Sequence, residues 1–364
     1  MENLTSWNDS YDNINIIHNS SQFLYQLVAI FYLPLEIIGL FSNLYLIMII
    51  ISHKDMRSPA YICIGNLAVA NVFLTISFTF LTWGRYGATL NLTNIFHQRF
   101  FQIFICKLVV PTLVTAFMIS NLSVVLITYE RYKAIATSAV EKLKRIHVLL
   151  IIIAIWLVSV LMIWPRTITS GPFPPIESLC GLIATRFTVK LLVISTAALI
   201  YILQLVTILH CYPRILHKLK NRSLTPMKMQ QLRLRLRQQR LSRVEQFRIG
   251  KNKSIVHMFQ ITFSLQVLSD TMCFFILVSI ILFNERMSIL AISIMFAFLC
   301  LFMLAVAIYH PIIYITHMKK FKDPLCSVFG HCCSSKRFGN KISPIFANDI
   351  QNPYHHQRTK TLNL

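Results

Sequence analysis

Apolar residues along this chain gather into seven long blocks, separated by shorter stretches in which the charge collects. The blocks run roughly Leu24–Ile51, Pro59–Thr82, Ile103–Tyr132, Ile146–Trp164, Thr188–Ile215, Ser254–Phe283 and Met287–Thr316. Each is close to or above the ~20 residues that a helix needs to cross a hydrocarbon core about 30 Å thick. Lipid offers no partner to backbone N–H and C=O groups, so such blocks must be helical. The expected fold is all-α, a bundle of seven transmembrane helices. Only Asn284, Glu285 and Arg286 separate the last two blocks, which predicts a tight antiparallel pair. No internal repeat suggests a transporter built from two inverted halves.

Composition removes the soluble alternatives. The 364 residues are 55% hydrophobic and 13% charged, where a soluble domain carries about 25% charged residues. The net charge of +22 would point to nucleic acid in a soluble chain, but here its placement gives another reason. No Lys or Arg precedes Lys54, and most of the 35 lie in segments 52–58, 131–145 and 214–253 and after 317. Basic residues favour the cytoplasmic side. The N-terminus is therefore expected outside and the C-terminus inside a plasma membrane, with no nucleic-acid partner. The first 23 residues have no charged leader and no apolar core of a signal peptide, so no cleavage is expected and span one inserts the chain. Sequons at Asn3, Asn8, Asn19 and Asn91 fall on the expected outer face. Those at Asn121, Asn221 and Asn252 fall in a span or inside, where glycosylation does not reach.

Residues inside the spans narrow the class. Span three starts at Cys106 and ends in Glu130-Arg131-Tyr132. Span seven ends in His310-Pro311-Ile312-Ile313-Tyr314, with Phe321 beyond. Span two carries Asn66-Leu67-Ala68-Val69-Ala70-Asn71, span one Gly39 and Asn43, span four Trp156 and span five Tyr212. In this order and spacing the motifs resemble the rhodopsin-like (class A) G-protein-coupled receptors over about residues 24–330.

The resemblance implies roles residue by residue. Cys106 and Cys180 would form a disulfide on the oxidising outer side, against the alternative of two free thiols. Glu130 would hold Arg131 until activation frees it to contact a heterotrimeric G protein. Tyr212 and Tyr314 would swing inward to support it; by composition alone they read as interfacial tyrosines. Pro311 removes a backbone hydrogen bond and would let span seven bend. Lys319 to Phe329 reads as a short amphipathic eighth helix on the inner leaflet, with Cys326, Cys332 and Cys333 as palmitoylation candidates. The arginine-rich loop Leu219–Lys253 would face the G protein and the anionic membrane lipids. The organisation expected is a glycosylated extracellular tail over 1–23, the seven-span domain over 24–317, the surface helix over 318–330 and a flexible cytoplasmic tail over 331–364.

Departures from the family pattern carry their own expectations. Asn71 stands where an Asp is usual and His310 where an Asn is usual. With Asn43 and Ser120 these positions surround a sodium ion in the family, so the lost carboxylate predicts weak or absent sodium sensitivity. His310 reads either as a neutral hydrogen-bonded residue or as a pH-sensing group. In span six Phe263 fits the family, but Gln266-Val267-Leu268-Ser269 replaces Cys-Trp-x-Pro. Gln204 replaces a Pro in span five. Fewer restraints on the resting state imply ligand-free signalling.

Family ligands sit among the outer halves of spans three, five, six and seven, which makes Leu113, Phe117, Gln266, Asp270, Phe274 and Cys300 the candidates for contact. Span seven has no Lys for a retinal Schiff base, and Leu113 stands where amine receptors carry Asp. Ionisable residues at membrane depth are functional candidates, here Glu36 and Asp270. Asp270 could meet a cationic ligand group, a basic residue such as Lys107, or only polar neighbours. The short tail disfavours a large glycoprotein hormone and leaves a short peptide, slightly ahead of a small organic molecule. A seven-helix transporter or channel is the rival class, since Asn71, Gln204, Gln266, Asp270 and His310 could line a path. The scattered histidines and the missing H-E-x-x-H argue against an enzyme, and neither a metal site nor a cofactor is expected.

Overall fold

The structure is a computed structural model that describes residues 30–89, 103–136, 143–168, 187–233, 241–283, 286–318, 320–322 and 324. The chain divides into two compact units, Met1–Phe321 and Lys322–Leu364, and the first holds every long helix. The helices are α1 (Ile30–Ser52), α2 (Pro59–Thr89), α3 (Val110–Ala136), α4 (Arg145–Ile168), α5 (Phe187–Arg233), α6 (Leu241–Phe283) and α7 (Ile289–His317). All seven are long and apolar enough to cross a membrane. A π-turn over Ile105–Val109 leads into α3. Beyond α7, helical backbone resumes at Lys320 as a short eighth segment. Phe321 in that segment is fully buried. It packs edge-on to Tyr61 with ring centroids 5.9 Å apart, and its carbonyl accepts from the Tyr45 hydroxyl at 2.8 Å.

Burial ranks the helices from centre to rim. Of the apolar window of α3, 67% is buried in the bundle, against 11% for α4 and 17% for α5. α3 is therefore an axis enclosed by its neighbours, while α4 and α5 turn large apolar side chains such as Leu157, Leu161, Val206 and Leu209 outward. Several hydroxyls inside the spans are satisfied locally. The hydroxyls of Thr75, Thr128 and Thr262 each donate to the carbonyl four residues back, the usual solution where water is absent.

Side-chain amides tie the helices together. Asn43 of α1 donates to Gly39 O at 2.7 Å and across to Ala307 O of α7 at 2.8 Å. Ala307 lies four residues before Pro311, whose missing N–H strands that carbonyl. Asn43 thus supplies the hydrogen bond that Pro311 cannot, and α7 runs through Pro311 as one helix. On the other flank, Trp156 of α4 donates to Asn66 of α2 at 2.9 Å, and Asn66 donates to Ser123 of α3 at 2.7 Å.

One expectation is corrected. The segment Leu219–Lys253, read from its charge as a loop, is mostly helix: α5 continues to Arg233 and α6 begins at Leu241. Lys, Arg, Gln, Leu and Met are good helix formers, and hydropathy, which falls wherever Arg and Lys accumulate, does not register them as helix.

Candidate functional site: an axial polar column

The candidate residues stack along the bundle in three levels. At the C-terminal end of α3, Glu130 and Arg131 form an ion pair, Oε2 to Nε, at 3.2 Å. Glu130 is buried, so the pair neutralises a charge that would otherwise be costly at this depth. Tyr314 of α7 is buried in the adjoining apolar cluster with Ile127, Ile208, Met258 and Phe263. Tyr212 of α5 packs edge-on to Phe263 at 5.3 Å. These residues of the inner motif therefore converge from α3, α5, α6 and α7. Tyr132 turns instead toward α5, with its ring 6.0 Å from that of His210.

Midway up, two amide-centred groups hold the helices. In the first, Ser120 of α3 donates to Asn71 Oδ1 at 2.9 Å, and Asn71 Nδ2 approaches Asn43 Oδ1 at 3.4 Å. His310 does not join them. Its Nδ1 lies 2.8 Å from the Val306 carbonyl on its own helix, and its buried Nε2 has no partner. The His310 ring lies between Tyr309 and Tyr314, with centroids at 4.4 and 6.4 Å. Asn43, Asn71 and Ser120 are thus joined through one amide, and His310 is not.

The second group is a clasp that links four helices. Gln204 of α5 donates to Asp270 Oδ2 at 2.6 Å, and Gln266 of α6 donates to the same oxygen at 2.7 Å. The Gln266 amide also donates to Asn121 of α3 at 3.0 Å, while its carbonyl accepts from the Tyr309 hydroxyl of α7. Gln204, Gln266, Asp270 and Asn121 are all buried. The hydrogen-bonded partners of Asp270 are therefore two amides; Lys107 lies in the π-turn and is exposed. Two buried acceptors of the clasp, Asp270 Oδ1 and Gln204 Oε1, have no partner.

Sequence reasoning picked out Gln266 and Asp270 as ligand candidates, and saw Gln204 as a missing proline and as one residue of a possible path. It missed Asn121 and Tyr309 as partners, although polar residues at one depth on four spans were a readable signal.

At the opposite end of the bundle from Arg131, Leu113, Phe117 and Cys300 share one apolar cluster with Phe78, Cys273 and Met303. Phe274 is separate, stacked on Tyr201 with centroids 5.2 Å apart and planes 8° from parallel. Glu36 is buried on α1, with Oε1 accepting from Thr82 at 2.7 Å and Oε2 unpartnered. Cys106 is buried and disulfide-bonded. Cys180, the sequons Asn3, Asn8, Asn19 and Asn91, and Cys326, Cys332 and Cys333 all lie outside the described residues.

The description "7 transmembrane receptor (rhodopsin family)" matches residues 42–314, which span every level of this column. The chain belongs to that family. The receptor is similar to mouse neuromedin-U receptor 1, 27% identical over 50% of this chain and 43% of the mouse protein. It is also similar to an ultraviolet-sensitive opsin of Apis mellifera, 26% identical over 41% of this chain and 39% of the opsin. The receptor thus spans less than half the length of these curated relatives. Squid rhodopsin has the same fold, with a TM-score of 0.68 and 19% identity over 87% of this chain and 89% of that one. Membership in this receptor family leaves the transporter or channel reading without support.

Proposed function

We propose that the receptor binds an extracellular ligand in the outer half of its bundle and passes the signal to a heterotrimeric G protein. The observation that carries the coupling half is the Glu130–Arg131 ion pair, beside which α5, α6 and α7 bring Tyr212, Phe263 and Tyr314. An ion pair at a helix end is a latch: parting it frees Arg131 for an incoming partner. The orientation that serves this role has the N-terminus outside and the C-terminus in the cytoplasm. A Cys106–Cys180 disulfide holds the outer end of α3, and acylated Cys326, Cys332 or Cys333 holds the tail to the membrane. With Asn71 bonded to Asn43 and Ser120 and no carboxylate there, sodium is a weak modulator or none.

Two relatives name two ligand classes, and the receptor's own residues choose between them. α7 contains no Lys, so it cannot hold a retinal Schiff base there. A short peptide, ahead of a small organic molecule, fits the free acceptors of the clasp. Asp270 Oδ1 and Gln204 Oε1 accept but cannot donate when Asp270 is ionised, which suits an ammonium or guanidinium group of the ligand.

The test is recruitment of a mini-G protein to the receptor in cells. Arg131→Ala should abolish recruitment while cell-surface expression persists, and no ionic current or substrate uptake should accompany it. Recruitment that survives Arg131→Ala at equal expression would sink the latch.

A further inference from the structure

At its inner end α5 forms a groove with α3 that the column does not use. The groove has a volume of about 410 Å³ and is lined by Tyr132, Pro213, Arg214, His217 and Lys218, with no acidic residue among them. The four α5 residues are exposed on the rim of the bundle. They continue a stripe of outward-facing apolar side chains on the same helix, Leu199, Ile202, Leu203, Val206 and Leu209. Positions 199, 203, 206, 210, 213 and 217 repeat at three or four residues, so stripe and groove share one helix face. The apolar span ends at Lys218, which puts the groove at headgroup depth. The rise from Val206 to Lys218 is about 18 Å, close to the depth of one leaflet.

Arg214 reaches toward α3. Its guanidinium donates to the Tyr132 hydroxyl at 3.5 Å and meets His210 Nε2 in a close hydrogen bond. A guanidinium presents paired donors that match the oxygens of a phosphate.

We propose that this groove binds an anionic phospholipid, its phosphate seated between Arg214, Lys218 and the Tyr132 hydroxyl and an acyl chain laid along Val206 and Leu209. The lipid would bridge α3 and α5 one residue from Arg131, and so bear on the latch. Only the choice of leaflet rests on the proposed orientation; the site itself does not.

The test uses the full-length receptor in nanodiscs of neutral phosphatidylcholine, titrated with headgroup-labelled phosphatidylinositol bisphosphate and read by energy transfer. Saturable binding is expected. Each of Arg214→Gln and Lys218→Gln should weaken it about fivefold, the contribution of one basic residue near an anionic headgroup. Neutralising Arg235 and Arg237, which lie well beyond Lys218 in the sequence, should leave it unchanged. Equal losses from both pairs would mean diffuse attraction to a basic surface and would overturn the site. Unchanged binding in the groove variants would also overturn it. So would a soluble inositol phosphate that binds as tightly as the intact lipid, because the apolar stripe would then contribute nothing. Symmetric nanodiscs make these outcomes independent of which way the receptor faces in cells.

Discussion

Asp270 meets two demands that one substitution can separate. Its Oδ2 accepts from both Gln204 and Gln266, while Oδ1 has no hydrogen-bond partner and is the atom proposed to meet a ligand. In Asp270→Asn the side-chain carbonyl can still accept two hydrogen bonds, so the clasp persists while the negative charge is lost. In Asp270→Leu both amides lose their acceptor, and each stranded buried donor costs about 1–3 kcal/mol. The purified receptor should therefore melt at a distinctly lower temperature with Leu and close to wild type with Asn. Agonist potency should fall about tenfold with Asn, the ~1.4 kcal/mol of a charge-assisted contact. Potency and melting temperature both unchanged in Asp270→Asn would leave Asp270 a purely structural role.

Among the elements, α6 is the one whose design departs furthest from its family. It lacks the usual Trp and Pro, and α5 lacks its Pro, so the sequence suggests a helix with little holding it at rest. The clasp supplies a restraint there in another form, because one amide on Gln266 engages α3 and α7 and the neighbouring carboxylate engages α5. Gln266→Leu keeps the volume roughly and removes these bonds. Ligand-free mini-G recruitment should rise severalfold above wild type at matched surface expression, and recruitment at or below wild type would count against the clasp as a restraint. The substituted positions were visible in the sequence as departures, but what replaced the lost motif was not. Gln204, Gln266 and Asp270 each look like an isolated polar intrusion until helix rotation and depth put them in contact. The seven spans were legible for the opposite reason: lipid forces helix on any apolar run of that length, whatever its neighbours. The extensions of α5 and α6 escaped notice because good helix formers that carry charge lower hydropathy just as a loop does. Glu130, Arg131, Tyr212 and Tyr314 stood out through the resemblance of their motifs to the family; by composition alone the two tyrosines read as interfacial.

For the whole molecule, orientation fixes what every site can mean. If the basic ends of α5 and α6 face the cytoplasm, Arg131 meets a G protein and the Arg214 groove meets the anionic leaflet; reversed, neither has its partner. The charge distribution argues for the first case, and glycosylation can decide it with no ligand in hand. Asn3, Asn8, Asn19 and Asn91 belong to one side of the membrane, Asn221 and Asn252 to the other. Asn121 is a poor acceptor in either case, because it is buried in α3 and its side chain accepts from Gln266. Peptide N-glycosidase should therefore shorten the apparent mass of the receptor from cell membranes. Asn→Gln changes at positions 3, 8, 19 and 91 should remove that shift in steps, while changes at 221 and 252 leave it intact. A shift that disappears with Asn221 or Asn252 instead would invert the receptor and take the proposed G-protein face with it. Because the assay reads only which loops entered the secretory lumen, it remains decisive even if the receptor proves silent in every signalling screen.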